Sequence, residues 1–411
     1  MAKISKKNRL LFIVFMFISF LQMSQYWLTP GIAKINTEVF PELPLSTIQT
    51  AMTLPSLLAM IMSIVSASLI GKRLLTKKAS VIVGISLMSV TGVAVLVAHY
   101  AFWHLCVLSV LMGSGLGFFV APALSIVFDN FSPEEVRLAV GLQSSAINFG
   151  GIVMSIVGGV LASLVWYGGY FTLLLGIPVV ILCILTIPNV KKTAVAAETA
   201  PAGSRHQKTK LPPDIVYFSV IMFVYSLIFP VCGTNISSHL MAAGIGNTTT
   251  AGIATAAQMA GGVIAGVIFS RLSAKLRDFL IPMAFMMVFI GLSLLNLGRN
   301  FLLADIAGVF LTGASISIFV PQVLFSTSSQ VDASNSATAL TVVNCVLPGL
   351  GGFLSPIVFT NLTTALGGPS TSFRYGFVAV VSLIIGIILV VTTLRRSRRE
   401  TACAALIEQA D

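Results

Sequence analysis

Apolar residues run along this chain in long blocks, separated by short polar stretches rich in Lys, Arg, Gly and Pro. Twelve blocks approach or exceed the roughly 20 residues that a helix needs to cross a bilayer. They are residues 10–33, 46–70, 79–98, 102–128, 139–164, 169–187, 215–237, 250–270, 279–297, 302–325, 337–360 and 375–394. The long runs lack period-two alternation, which predicts helices and not barrel strands. Lys3, Lys6, Lys7 and Arg9 precede the first block as they would in a secretory leader. That block is longer than a leader's apolar segment and holds Gln22 and Gln25, so it reads as a retained helix.

Composition agrees with the pattern. Of 411 residues, 56% are hydrophobic and only 9% are charged, too few to cover a water-soluble surface. The apolar content also excludes a disordered chain. The net charge of +11 could suggest a nucleic-acid partner, but its distribution argues otherwise. If both ends of a twelve-span chain face the cytoplasm, 21 of the 24 Lys and Arg lie on that side, with only Lys34, Arg299 and Arg374 opposite. Such asymmetry predicts cytoplasmic termini in a multi-pass membrane protein and explains the charge without nucleic acid. The cysteines and histidines show no disulfide framework or metal-ligand spacing.

The longest polar interruption, Pro188–Asp214, has the composition of a flexible linker. It divides a six-span bundle, residues 1–187, from a second, residues 215–394, and leaves 395–411 as a basic cytoplasmic tail. A shift of 200 residues aligns Pro30 with Pro230, Leu111-x-Gly113 with Leu311-x-Gly313, Phe119-Val120 with Phe319-Val320 and Ser155 with Ser355. Pro122 and Pro321 fall one residue out of register. One offset with the linker at its midpoint predicts an internal duplication. The expected fold is therefore an all-α polytopic membrane protein, with twelve transmembrane helices in two pseudo-symmetric six-helix bundles.

Local motifs then narrow the reading. The loop after the second span is Gly71-Lys72-Arg73-Leu74-Leu75-Thr76-Lys77-Lys78, and the fourth span carries Gly113-x-Gly115. Asp129, Arg137 and Gly141 bridge spans 4 and 5, and Gly141, Gly150 and Gly158-Gly159 hold the glycine spacing of an antiporter pattern. With these motifs, twelve spans and a basic central loop, the chain resembles the major facilitator superfamily of secondary transporters over its whole length. It departs from the family pattern at three places: the loop lacks an Asp and a second Gly, Ser109 stands at the Arg position of span 4, and Met154-Ser155 replaces a Gly-Pro. The resemblance implies a central cavity lined by spans 1, 4, 7 and 10 with help from 2, 5, 8 and 11. It also implies alternating access between the two halves.

Polar residues inside apolar spans should face protein or a watery path, because lipid cannot satisfy them. Span 1 places Gln22, Gln25, Tyr26 and Thr29 on one helical face. Span 7 has Tyr225, Ser226 and Asn235 around Pro230, which removes a helical hydrogen bond and permits a bend. Pro30 is expected to do the same near the outer end of span 1. Further candidates are Gln143 and Asn148 in span 5, Gln258 in span 8, Ser315 and Gln322 in span 10, and Thr341 and Asn344 in span 11. Each has a blander use, hydrogen bonding between helices. The expected substrate-binding set is Gln22, Gln25, Tyr26, Asn148, Tyr225, Asn235, Gln258, Ser315, Gln322 and Asn344.

No Asp, Glu, Lys or Arg falls at the middle of any span. Lys34 and Arg374 are expected to snorkel at the outer face, and Asp305 to pair there with Arg299 or Arg374 rather than to couple transport. On the cytoplasmic side Asp129 is expected to pair with Lys72, Arg73 or Arg137 and help to close an inner gate. An embedded enzyme would need a catalytic cluster, and only Asp129, Glu134 and Glu135 gather. Ser132-Pro133-Glu134-Glu135 reads as a turn that opens a helix. No nucleotide-binding loop is present, which disfavours a primary pump. The expected function is secondary transport of a small neutral, zwitterionic or amphiphilic organic solute, its direction unassigned. The alternatives are a proton-coupled efflux antiporter, a transporter-fold sensor and a membrane-embedded enzyme. The expected partners are that solute and the bilayer, with no cofactor, no nucleic acid and a monomeric state.

Overall fold

The computed structural model describes residues 4–5, 8–188, 213–276, 279–298, 301–328 and 342–408. Within them the first half comprises α1 (Arg9–Leu21), α2 (Leu28–Lys34), α3 (Leu45–Gly71), α4 (Lys77–Ala94), α5 (Phe102–Asn130), α6 (Pro133–Leu164) and α7 (Gly176–Thr186). The second half comprises α8 (Pro213–Ile228), α9 (Pro230–Ala242), α10 (Thr248–Leu276), α11 (Leu280–Leu297), α12 (Leu302–Ser328), α13 (Leu347–Ala365) and α14 (Thr371–Glu408). Eleven helical stretches of the described chain are long and apolar enough to cross a membrane. The twelfth is α13, 19 residues whose Gly, Pro, Thr and Asn dilute its apolar character. Most of the expected linker, 188–214, lies outside the described residues, as do Arg299 and Thr341 and the side chains of Arg137 and Asn344. The helix of the last span, α14, continues without a break to Glu408.

Local chemistry sets the ends of these helices. Ser132 caps α6: its Oγ accepts from the Glu135 N–H, and Glu135 Oε2 accepts from the Ser132 N–H at 3.0 Å. This reciprocal arrangement satisfies two donors that the first helical turn would otherwise leave bare. Glu135 Oε1 also accepts from the Ser5 N–H at 2.7 Å, and Oε2 from Asn8 Nδ2 at 2.9 Å, which ties the amino-terminal segment to α6. Thr76 caps α4 by accepting from the Ala79 N–H at 3.1 Å.

Two large hydrophobic cores form, one from residues between Leu11 and Ile187 and one from residues between Phe218 and Leu389, and a smaller cluster of Ala265, Leu280, Ala314 and Ile318 joins α10, α11 and α12, so each bundle buries its own apolar faces. Between the halves α6 packs along α10 and α3 along α13. Small residues permit the first contact: a Cβ on Gly252 would lie 2.5 Å from the Ser155 carbonyl oxygen. Twelve crossings place both chain ends on one face, the terminal face. The segments around Lys34, Leu45, Ala242 and Thr371 lie on the opposite, distal face.

Candidate functional site

A cavity of about 240 Å³ lies where the two halves meet. The first half contributes Gln25, Tyr26 and Thr29, with Met52, Thr53 and Ser56 from α3. The second contributes Met222, Tyr225, Ser226, Phe229, Thr234, Gln258, Ile316 and Val320, among others. Its polar lining consists of amides and hydroxyls, and no charged side chain reaches it among the described residues.

Gln25 and Tyr26 reach the cavity because the first span is broken, not because it is one continuous face. After α1 ends at Leu21 the chain makes a tight turn over Ser24–Trp27 and restarts as α2. Ser24 Oγ donates to the Leu21 carbonyl, taking an acceptor the helix has released. The expected single face is therefore split: Gln25, Tyr26 and Thr29 line the cavity, whereas Gln22 does not, and its Nε2 is buried without a partner. The bend precedes Pro30, which sits in the first turn of α2, where its missing N–H costs nothing. Trp27 fixes this break. Its ring is fully buried edge-on to Tyr170, centroids 4.2 Å apart, and packs against Gly158 so closely that a Cβ there would overlap Trp27 Cβ. Span 7 breaks as expected, between Ile228 and Pro230, so both halves have a discontinuous first helix at the cavity.

Tyr225 stacks on Phe319, centroids 3.8 Å apart, and its hydroxyl lies 2.6 Å from Ser315 Oγ. Ser315 Oγ also lies 2.6 Å from the Thr312 carbonyl, which can only accept, so the serine's one proton goes there. The shared proton of the first contact must then come from Tyr225. The phenolic oxygen of this cavity-lining residue thus keeps acceptor capacity and is held by a serine that does not itself line the cavity. Gln258 is held from the other side, its Nε2 donating to Thr312 Oγ1 at 3.4 Å.

A polar layer seals the cavity on its distal side. Gln49, one turn before Thr53 on α3, is fully buried and reaches across to the second half. Its Nε2 donates to the Thr234 carbonyl at 2.9 Å and to Asn235 Oδ1 at 2.8 Å, and its Oε1 accepts from Thr360 Oγ1 at 2.6 Å. Ser237 Oγ donates to the Pro30 carbonyl at 2.6 Å. Four side-chain hydrogen bonds between the halves lie in this distal layer. Asn235 therefore forms the wall behind the cavity and not its lining.

The charged residues depart most from expectation. Arg374 does not snorkel: it is 1% exposed and donates to Asn235 Oδ1, to Thr363 Oγ1 at 3.2 Å and to the Pro369 carbonyl at 3.5 Å. Asp305 does not pair with Arg374; it is fully buried, with Oδ2 3.5 Å from His239 Nε2. Lys34, partly exposed, donates from Nζ to the Ser163 carbonyl at 2.8 Å. On the terminal face Asp129 pairs with Lys77 at 2.6 Å and not with the exposed Lys72 or Arg73, because Lys77 opens α4 beside the end of α5. Asn148 donates to the Ser144 carbonyl at 2.8 Å and lies against Gly262. Gln322 accepts from Ser273 Oγ at 3.0 Å and donates to Ser326 Oγ at 3.3 Å, so both serve helix packing and not the cavity.

Sequence reasoning missed Gln49, Thr53, Ser56 and His239. Gln49 carried a usable signal, a lone amide inside an apolar span, and Thr53 and Ser56 follow it at four- and seven-residue spacing on the same face. His239 carried none, because its partner is 66 residues away.

Comparison with known proteins agrees with this architecture. The POT family transporter PepTSo is similar over 95% of this chain and 99% of its own, with a TM-score of 0.74 and 10% identity. The nucleoside transporter NupG gives a TM-score of 0.74 at 11% identity over 93% of this chain and 98% of its own. A D-xylose-proton symporter gives 0.67 at 15% identity over 93% and 97%. No curated protein matches the chain by sequence. The Major Facilitator Superfamily profile matches residues 10–356, most of the chain, and with two six-helix bundles meeting at a central cavity the protein is a secondary transporter belonging to that superfamily.

Proposed function

We propose that this transporter moves a small neutral, zwitterionic or amphiphilic organic solute across the cytoplasmic membrane by alternating access, with both termini in the cytoplasm. The observation that carries this reading is the cavity shared by the halves, where Gln25, Tyr26, Thr29, Tyr225 and Gln258 offer hydrogen bonds and no net charge. Uncharged donors and acceptors suit a solute that need not be neutralised, whereas an anion or cation taken from water would lack a counter-charge there. The distal seal supports a form closed on the side opposite the termini, which in this topology faces away from the cytoplasm. Tyr225 and Gln258 bind the solute from the second half, and Gln25 and Tyr26 from the first.

The test is thermal stability of the purified protein in detergent against panels of neutral, zwitterionic, cationic and anionic solutes. A ligand that binds only the folded state raises the apparent melting temperature. Stabilisation by neutral or zwitterionic solutes, lost in Gln25→Ala, is expected. Stabilisation confined to anions or cations would overturn the proposed substrate class.

A further inference from the structure

We propose that the cavity is polarised, with hydrogen-bond acceptors on its second-half wall and donors on its first-half wall. It therefore selects a solute whose hydroxyl, amine or ammonium protons are received by Tyr225, Ser226 and Gln258. The inference rests on the solute-transport reading above and adds which end of the solute each half receives.

The polarity starts at backbone carbonyls, which can only accept. On α12 the Thr312 carbonyl takes the Ser315 proton at 2.6 Å, so Ser315 Oγ receives the Tyr225 proton and the phenolic oxygen keeps only lone pairs. One turn earlier the Val309 carbonyl, 2.8 Å away and a better acceptor than the Cys232 sulfur at 3.3 Å, takes the Thr312 Oγ1 proton. Thr312 Oγ1 then has lone pairs alone for Gln258. That fixes the amide with Nε2 towards α12 at 3.4 Å, because turning it over would set two acceptors against each other. Gln258 is 3% exposed, and its Oε1 has no donor among the described residues. This oxygen lies 3.7 Å from the point where a Cβ would sit on Gly233, another residue of the cavity wall.

Two hydroxyls beside the α8–α9 break are spent in the same way. Ser226 Oγ donates to the Met222 carbonyl at 2.7 Å, and Thr234 Oγ1 donates to the Pro230 carbonyl at 2.9 Å. Both residues line the cavity, and Thr234 already gives one lone pair to Asn235 Nδ2. The side chains of the second-half wall thus receive protons at three hydroxyl oxygens and one amide oxygen. Against these they have one N–H of Gln258 left to give.

The first half has the opposite character. Tyr26, Thr29 and Ser56 line the cavity, and their hydroxyls have no acceptor among the described residues, so each has a proton to give. Thr53 is the exception, since its Oγ1 donates to the Thr50 carbonyl at 3.2 Å. A solute without donors would leave the second-half oxygens unpaired and out of reach of water. That penalty exceeds what one hydrogen bond contributes when made, and it is the usual source of sharp discrimination by a polar site.

The first test needs no cargo. The Raman ring doublet of a phenol differs between a hydroxyl that donates and one that accepts. The difference spectrum between wild type and Tyr225→Phe should carry the donating form, and the accepting form would overturn the proposal. Should Tyr225→Phe fail to fold, loss of the donating form in Ser315→Ala gives the same answer.

The second test uses thermal stability with matched probes that differ in their donors. The pairs are amino acids with their N-trimethyl betaines, monosaccharides with their deoxyfluoro analogues, primary amides with N,N-dimethyl amides, and alkylammonium ions with their quaternary counterparts. Each pair keeps its net charge, and the fluorine pair also keeps its size. Wherever a pair contains a stabilising solute, the donor-bearing member should bind about tenfold or more tightly, and Ser226→Ala should narrow the gap. Equal affinities within the pairs overturn the proposal and leave the solute-transport reading standing. Stabilisation confined to ions with the gap intact would instead remove the proposed substrate class and leave the polarity standing. A panel without a single hit leaves the Raman spectrum to decide.

Discussion

Gln49 Nε2 lies 2.8 Å from Asn235 Oδ1, and through that contact an α3 side chain of the first half reads the position of a buried arginine in the second. The same Oδ1 accepts from Arg374, while Asn235 Nδ2 donates to the Val231 carbonyl at 2.9 Å and to Thr234 Oγ1 at 3.2 Å. All four hydrogen-bond positions of the Asn235 amide are filled. Its orientation is fixed, because turning it over would set an NH₂ group against the guanidinium.

Gln49→Ala removes every cross-half hydrogen bond of that residue while leaving Arg374 and Asn235 paired. Buried hydrogen bonds lost this way cost about 1–3 kcal/mol, which corresponds to about a 5- to 150-fold shift towards the distally open form. Labelling rates of a single cysteine placed at Thr53 should rise from the distal side. Rates equal to those of the parent would show that Gln49 does not hold the seal.

Gln25→Ala and Gly158→Ala should separate binding from packing. Gln25 lines the cavity, so its truncation should weaken solute binding and leave the melting temperature nearly unchanged. A methyl group at Gly158 collides with Trp27 and should destabilise the fold by about 1–3 kcal/mol. Thermal unfolding with and without the stabilising solute distinguishes the two, and a Gln25→Ala protein with intact affinity would exclude that amide from the site.

Tyr225→Phe keeps the ring stacked on Phe319 but deletes the phenolic oxygen. For a solute that donates to that oxygen, affinity should fall about tenfold, the effect of one hydrogen bond of about 1.4 kcal/mol. Ser315→Ala leaves the oxygen in place and should weaken affinity less. Equal losses in the two variants would mean that the hydroxyl serves only to fasten α8 to α12.

Glu135 gives the terminal face a pH dependence of its own. Backbone donors at Ser5 and Ser132, reinforced by Asn8, lower its carboxyl from the ordinary 4.5 to about 2. A depressed folded-state value means the stabilisation is complete above the ordinary range and is lost as the pH falls towards about 2. The wild type should therefore melt above Glu135→Gln at neutral pH, and the gap should close on acidification through that window. A gap that widens with acid would contradict the assignment.

The proposed topology has a direct check. A reporter active only outside the cytoplasm should stay silent when fused after Asp411 and become active when fused after Lys34. The reverse pattern would invert the orientation drawn from the Lys and Arg distribution.

Apolar block length was enough to declare a twelve-helix membrane protein, because lipid forces every span to satisfy its own backbone and so writes each span into contiguous residues. The duplication was legible for a related reason: Pro230 and the Phe119/Phe319 pair keep their offset because each half must build the same bundle. Gln25, Tyr26, Tyr225 and Gln258 were also within reach, since a polar side chain in an apolar run has few tolerable places to point. Tertiary structure alone decided which polar groups face the cavity and which face each other. Gln22 and Gln25 are three residues apart, yet the break at Ser24–Trp27 sends only one of them inward. Arg374 and Asp305 lie near span ends, where sequence suggests a solvent-facing ion pair, but each found a different partner inside: Arg374 took Asn235, 139 residues away, and Asp305 took His239. Contacts of that range depend on how the helices α9, α12 and α14 pack, a property of the assembled bundle that no local pattern encodes.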